Sequence, residues 1–222
     1  MPTLASPLSC PSCGAPVPFR SAAPYAVCSH CQSLLVRRDA RIESIGRVAQ
    51  VPEDLSPFQL GTVGVFDQHR FALVGRLRKT WDQGSWNEWC AAFDDQRFGW
   101  LAEAQGDLVM TFARGPAADA PAQLQELTVG GQWRIDGQPY TVTDVKQVAC
   151  TGAEGELARG GLDSGAMTSM DLRGPGLAFA TWEVAGKQAQ LFTGRFVEFD
   201  ECRFTQLRTL EGWGGPVPGR AG

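Results

Sequence analysis

The chain has 222 residues, is 43% hydrophobic and 20% charged, and carries a formal net charge of −4. That is enough apolar material for a sizeable core, in one domain plus an appendage or in two small domains, and it excludes a disordered chain. The acidic balance excludes a whole-protein basic footprint for nucleic acid. No apolar run approaches the roughly 18–20 residues of a membrane-spanning helix, and "MPTLASPLSC" lacks the basic start and apolar run of a secretory leader, so a cytoplasmic protein is expected, with peripheral attachment at the inner membrane left open.

The first element in chain order is "CPSCGAPVPFRSAAPYAVCSHC", two C-x2-C pairs (Cys10, Cys13 and Cys28, Cys31) separated by fourteen residues. Each pair forms a knuckle whose thiolates point the same way, and Gly14 supplies the backbone freedom the first turn wants. In a reducing compartment this spacing reads as a metal site rather than as disulfides, and four thiolates suit structural Zn²⁺. A filled shell leaves no position for a substrate water, and His30 inside the second pair is read as surface. Residues 1–50 carry five arginines against two acids, while the rest of the chain carries 15 basic and 22 acidic residues. Arg37, Arg38 and Arg41 could meet an anionic partner, but aromatics for base stacking are scarce, so nucleic acid is not expected.

The zinc ribbon and its basic trailing segment occupy residues 1–47. Residues 48–57 read as a linker, with Pro52 and Pro57 around Glu53-Asp54. Short helices are expected over 37–50 and 119–127, and a flexible Gly/Pro tail over 209–222. The rest alternates as strands. "RFALVGRLR" places Phe71, Leu73 and Leu77 on one face and Arg70, Val74, Arg76 and Arg78 on the other. "LVMTF" aligns Leu108, Met110 and Phe112, "PYTVTDV" aligns Tyr140 and Val142, and "LAFATWEV" and "AQLFTGRFVEF" continue the pattern. "VFDQHRFALV" (65–74) matches "RIDGQPYTVT" (134–143) at an offset of 69 residues, each with a turn between two strands. The expected fold is therefore mainly β: a small ribbon, then a β-rich domain over 58–208 built of two related antiparallel units, about 58–115 and 127–208.

"WDQGSWNEWCAAFDDQRFGWLAEA" holds four of the seven tryptophans. Strand periodicity puts Trp89, Ala91 and Phe93 on one face and Trp86, Glu88, Cys90 and Ala92 on the other. Asp94-Asp95 then turns the chain, and Phe98 and Trp100 share a face on the return. One face is expected to be core. Trp86, Glu88 and Trp89 are the candidate ligand or partner surface, with Glu88 either holding a cation or pairing with Arg76 or Arg78. Catalytic motifs are absent. "GLDSG" has the wrong spacing for a nucleophile elbow, "GRLRKT" is no phosphate loop, and Cys90 reads as a packed hydrophobe with no base beside it. A thiol enzyme using Cys90, with His69 as its base, is the remote alternative.

The paired knuckles, the "SPFQLGTVG" entry and "GRLRKTWDQGSWNEWCAAFDDQRFGWLAEAQGD" together resemble the bacterial Domain of Unknown Function 4178 family, in the form with an N-terminal zinc ribbon. The resemblance runs from about Cys10 to Leu207. It implies no assigned reaction. It implies a non-catalytic accessory protein of a kind found beside polyamine-biosynthesis enzymes, phage-shock-protein-A-like proteins and small membrane proteins, a setting of envelope stress. The resulting expectation is a zinc-stabilised adaptor that binds protein partners. The alternative is a binding domain for a small cationic, polyamine-like ligand that uses Glu88 and Trp86.

Overall fold

A computed structural model describes residues 8–39, 41–114, 128–159, 165–186 and 188–210. Among these the chain is all β, with no helix. The ribbon contains β1 (Leu8–Ser9), β2 (Pro16–Val17), β3 (Tyr25–Val27), β4 (Ser33–Arg38) and β5 (Arg41–Arg47). The first meander is β6 (Val63–Phe66), β7 (His69–Trp81), β8 (Gly84–Phe93), β9 (Phe98–Ala104) and β10 (Asp107–Ala113). The second is β11 (Gln132–Ile135), β12 (Gln138–Leu157), β13 (Met167–Arg173), β14 (Ala178–Ala185) and β15 (Gln188–Val197).

The expected helix over 37–50 is instead the end of β4 and all of β5, turned at Asp39 with φ of 52°. The charged residues of "RRDARIESIGR" hide a strand alternation because β5 is an edge strand whose two faces meet water over most of their length. The segment 119–127 lies outside the described residues, as does all of the tail beyond residue 210.

The two meanders are related strand by strand. Val63↔Ala72 through Phe66↔His69 in the first becomes Gln132↔Thr141 through Ile135↔Gln138 in the second, the same register at the same offset of 69 residues. Each hairpin turns through two residues of positive φ, Asp67 and Gln68 in one, Asp136 and Gly137 in the other. This is the turn whose twist matches paired strands. Even the irregularity repeats: β7 bulges between Leu73 and Gly75, and β12 between Val142 and Asp144. Corresponding residues found two separate cores. Phe66, Phe71 and Leu73 pack with Trp89, Phe93 and Met110 in one, and Ile135, Tyr140 and Val142 pack with Met170, Leu172 and Trp182 in the other.

The Val74 bulge overturns one face assignment. An extra residue reverses the alternation. Arg76 and Arg78 therefore follow Phe71 and Leu73 on the first core's side, opposite Trp89 and Asn87, while Leu77 and Lys79 turn to the other face, opposite Glu88 and Trp86. The other alternations hold, and Trp89, Ala91 and Phe93 all lie in the first core.

The pairings close into a ring of eight strands in the order β7, β8, β9, β10, β15, β14, β13, β12 and back to β7. β12 closes it. Its first part pairs with β13, Ala149–Gly155 pairs with β7, and Glu156 and Leu157 pair with β3 of the ribbon. The ribbon is fastened at the same point: the Glu156 carboxylate accepts from the backbone N–H of Arg20 (2.6 Å) and Ser21 (2.9 Å) and from the Ser21 hydroxyl (2.5 Å). Val27 and Leu34 of the ribbon share a core with Leu77, Cys90, Trp100, Leu157 and Phe192. Residues 48–57, read as a linker, have no regular secondary structure. They lie along the barrel, with Val51 buried and Asp54 accepting from Arg76 (3.2 Å), Arg78 (3.0 Å) and Asn87 (2.9 Å).

Both seams between the meanders cross at glycine. A Cβ on Gly75 would meet the Glu156 carbonyl oxygen at 1.9 Å, and one on Gly194 would meet that of Met110 at 1.9 Å. Gly75→Ala and Gly194→Ala should each lower stability in urea by about 1–3 kcal/mol. Gly46→Ala, with nothing within 4 Å of the added carbon, should change it little. Equal effects at all three positions would contradict the seam geometry.

Candidate functional site

The four cysteines converge as their spacing implies. Gly14 N–H donates to the Cys10 carbonyl (2.8 Å) and Gln32 N–H to that of Cys28 (2.9 Å), so the two knuckles are built alike, each closed by a residue of positive φ. Cys10 Sγ lies 3.7 Å from Cys31 Sγ, Cys13 Sγ lies 3.7 Å from Cys28 Sγ, and all four sulfurs fall within 4.8 Å of one another. This cluster can hold a metal ion. Within this coupled cluster the Ser33 hydroxyl and backbone N–H hold the Cys31 thiol down to about 6, while, against a backbone hydrogen bond at Ala15, the neighbouring thiols and burial push Cys13 up to about 12.

A second site lies inside the ring, where the faces turned away from the two cores meet. The cavity of about 480 Å³ is walled by Trp81, Trp86, Trp100, Phe179, Phe192 and Phe196, with Ala102, Ala104 and Val109 along its side. Its depth holds a four-membered ion network. Lys79 Nζ lies 2.8 Å from Glu88 Oε1 and also pairs with Glu183, while Arg159 Nη2 lies 3.1 Å from Glu88 and 3.2 Å from Glu183. Trp86 Nε1 donates to Glu88 at 3.1 Å, and the Arg159 guanidinium lies over Trp100 (4.9 Å) and Phe192 (5.0 Å). Burial alone would raise the Glu183 carboxyl, but Arg159 and Lys79 outweigh it and hold it down to about 2. Charges this deep persist because each has a partner.

Nearer the mouth, Lys146 pairs with Asp144 and its ammonium lies 4.9 Å from the centre of the Trp81 ring. Asp171 faces Asp144 across the β12–β13 pair and, among the described residues, has no cation within ion-pair distance. Burial pushes its carboxyl up to about 6 against a hydrogen bond from Thr181, with Asp144 raising it further and the Lys146 ammonium, engaged with Asp144, offsetting part of the rise.

Of the three aromatic-strand candidates, Trp86 and Glu88 line this chamber. Trp89 does not: it is in the first core, with its Nε1 donating to Glu103 (3.1 Å) and Arg76 over its ring. The ion partners of Glu88 are Lys79 and Arg159 rather than the expected Arg76 or Arg78, which the bulge sends to Asp54. Lys79, Arg159, Asp171 and Glu183 escaped the sequence reading. Lys79 on β7 and Glu183 on β14 are 104 residues apart, and neither strand periodicity nor the repeat relates them. Cys90 is fully buried, and burial pushes its thiol up to about 12. His69 is engaged with Asp94 and Asp95 in an exposed turn.

With this geometry in view, the comparisons define the class. The family model described as "Domain of unknown function (DUF4178)" matches residues 59–199, a span that starts just before β6 and ends just after β15. The chain belongs to that family. No curated protein and no solved structure matches it. Among the described residues no helix is long and apolar enough to cross a membrane.

The two shifted carboxyls give opposite pH dependences. Glu183 has a folded pKa below its ordinary 4.5, so its contribution is present above about pH 4.5 and is lost as pH falls toward 2. Asp171 has a folded pKa raised from 3.8 to about 6, so ionising it costs stability as pH rises through that interval. Asp171→Asn should therefore be more stable than the parent at pH 7.5, by about 1–3 kcal/mol. The advantage should shrink as urea melts are repeated down to pH 4. A difference that does not change with pH would contradict the assignment.

Proposed function

We propose that the chain is a non-catalytic binding protein, stapled by zinc at its ribbon, whose chamber takes a small ligand through an ammonium group. Asp171 carries this reading. A carboxylate set among aromatic walls with no direct ion-pair partner among the described residues, its nearest cation Lys146 being taken by Asp144, is costly, and an ammonium ligand supplies the missing contact. The chain uses the same chemistry twice within the chamber: Lys79 meets Glu88 and the Trp86 ring, and Lys146 meets Asp144 and the Trp81 ring. The volume of about 480 Å³ falls in the range of small-ligand sites, roughly 300–1,000 Å³. The polar groups of Glu88 are taken by the protein's own cations, so the ligand's partner is Asp171.

The ribbon's fastening through Glu156 and the β3–β12 pairing supports a plug on the barrel rather than a freely swinging adaptor. The sealed Cys90 thiol supports a role without catalysis. Zinc is supported by sulfur spacing, since a tetrahedral shell with Zn–S of about 2.3 Å sets neighbouring sulfurs about 3.8 Å apart. Free cysteines throughout fit a reducing, cytoplasmic setting.

Elemental analysis of protein purified without chelator should find one zinc per chain. Cys28→Ser or strong chelation should lower the melting temperature, because metal binding is linked to folding. Absence of metal would overturn the staple. For the chamber, a thermal-shift screen of small amines, spermidine among them, should give a stabilisation that Asp171→Asn abolishes. No shift from any amine at millimolar concentration would contradict the ligand reading.

A further inference from the structure

The charged groups that line the chamber or lie behind its wall pair off almost completely. Lys79, Arg159, Glu88 and Glu183 satisfy one another, and Asp144 takes Lys146. Among the described residues three are left: Asp171, Arg173 and Asp107, the last standing exposed at the start of β10. Asp171 and Arg173 are two residues apart on β13, so their side chains leave the same face of the strand, about 6.6 Å apart at Cα. Arg173 is exposed at the mouth. Its guanidinium lies on the Phe196 ring, 3.5 Å from the centroid, and among the described residues no carboxylate is within ion-pair distance. Stacking fixes the plane of a guanidinium and leaves its N–H donors around the rim, the arrangement that receives a carboxylate or phosphate in two-point fashion.

One unpaired acid and one unpaired base thus stand side by side on one wall. The acid is half-buried and the base is exposed at the opening. A polycation would satisfy the first and be repelled by the second. We propose that the ligand is a short zwitterion, its ammonium on Asp171 and its anionic group on Arg173, with its carbon chain against the Ala102–Ala104–Val109 side. This rests on the chamber reading above and narrows its ligand class.

Three compounds on one four-carbon skeleton test it by titration calorimetry on the full chain: 4-aminobutanoate, 1,4-diaminobutane and butanoate. The expected result is that 4-aminobutanoate binds roughly tenfold more tightly than the diamine. Arg173→Gln, an exposed position, should erase that preference, and Asp171→Asn should remove binding of both amines. Circular dichroism of each variant separates lost binding from lost folding. A diamine that binds the parent protein at least as tightly as 4-aminobutanoate, or a preference that survives Arg173→Gln, overturns the zwitterion and leaves the chamber standing. No binding by any of the three at millimolar concentration, or amine binding that Asp171→Asn leaves unchanged, overturns both.

Discussion

A single strand of 20 residues holds the molecule closed. β12 hydrogen-bonds in succession to β13, β7 and β3, so the second meander, the first meander and the ribbon are all hydrogen-bonded to one stretch of backbone. Its counterpart β7 is 13 residues long, so the two meanders are alike only up to the point where β12 runs on. That surplus length is what converts two similar units into one ring. It demands backbone contact too close for side chains, which glycine at positions 75 and 155 permits.

Closing the ring has an electrostatic consequence. Each meander builds a core of its own on one side of its strands. The opposite sides, carrying Lys79, Glu88, Asp171 and Glu183, are brought together inside the ring. Four of the buried charges neutralise one another across the two units, and removal of one member of such a network typically costs about 3–5 kcal/mol. Arg159 follows β12 directly after the ribbon contact, so the fastening of the ribbon and the positioning of a chamber cation belong to one short segment, Glu156 to Arg159. Asp171, half-buried, stands outside the network. Its raised carboxyl makes ionisation at neutral pH a cost to the fold, which the binding role proposed above would offset.

Much of the fold could be read from the chain. The cysteine spacing located the ribbon, and two-residue periodicity sorted Trp89, Ala91 and Phe93 from Trp86, Glu88 and Cys90. The offset of 69 residues exposed the repeat. What escaped has specific causes. A bulge such as that at Val74 reverses every later residue while leaving the composition unchanged, which is why Arg76 and Arg78 were matched to Glu88 when Lys79 faces it. β5 passed for a helix because an exposed edge strand shows no apolar alternation. Asp171, in "SMDLRG", looks like an ordinary outward polar residue, since nothing local shows that the outward face of β13 is the inward face of a barrel. That depends on the contacts of β12 with β7, which join residues far apart in sequence, from Ala149 with Thr80 to Gly155 with Gly75.

The central claim is that Asp171 is the unsatisfied acid of a ligand chamber. NMR titration of its side-chain carboxyl carbon addresses this directly, with the ligand-free protein and with a saturating small amine. The account predicts a midpoint near 6 without ligand, lowered when an ammonium is bound beside it. A midpoint near the ordinary 3.8 in the free protein, or one that does not move on amine addition, would contradict it.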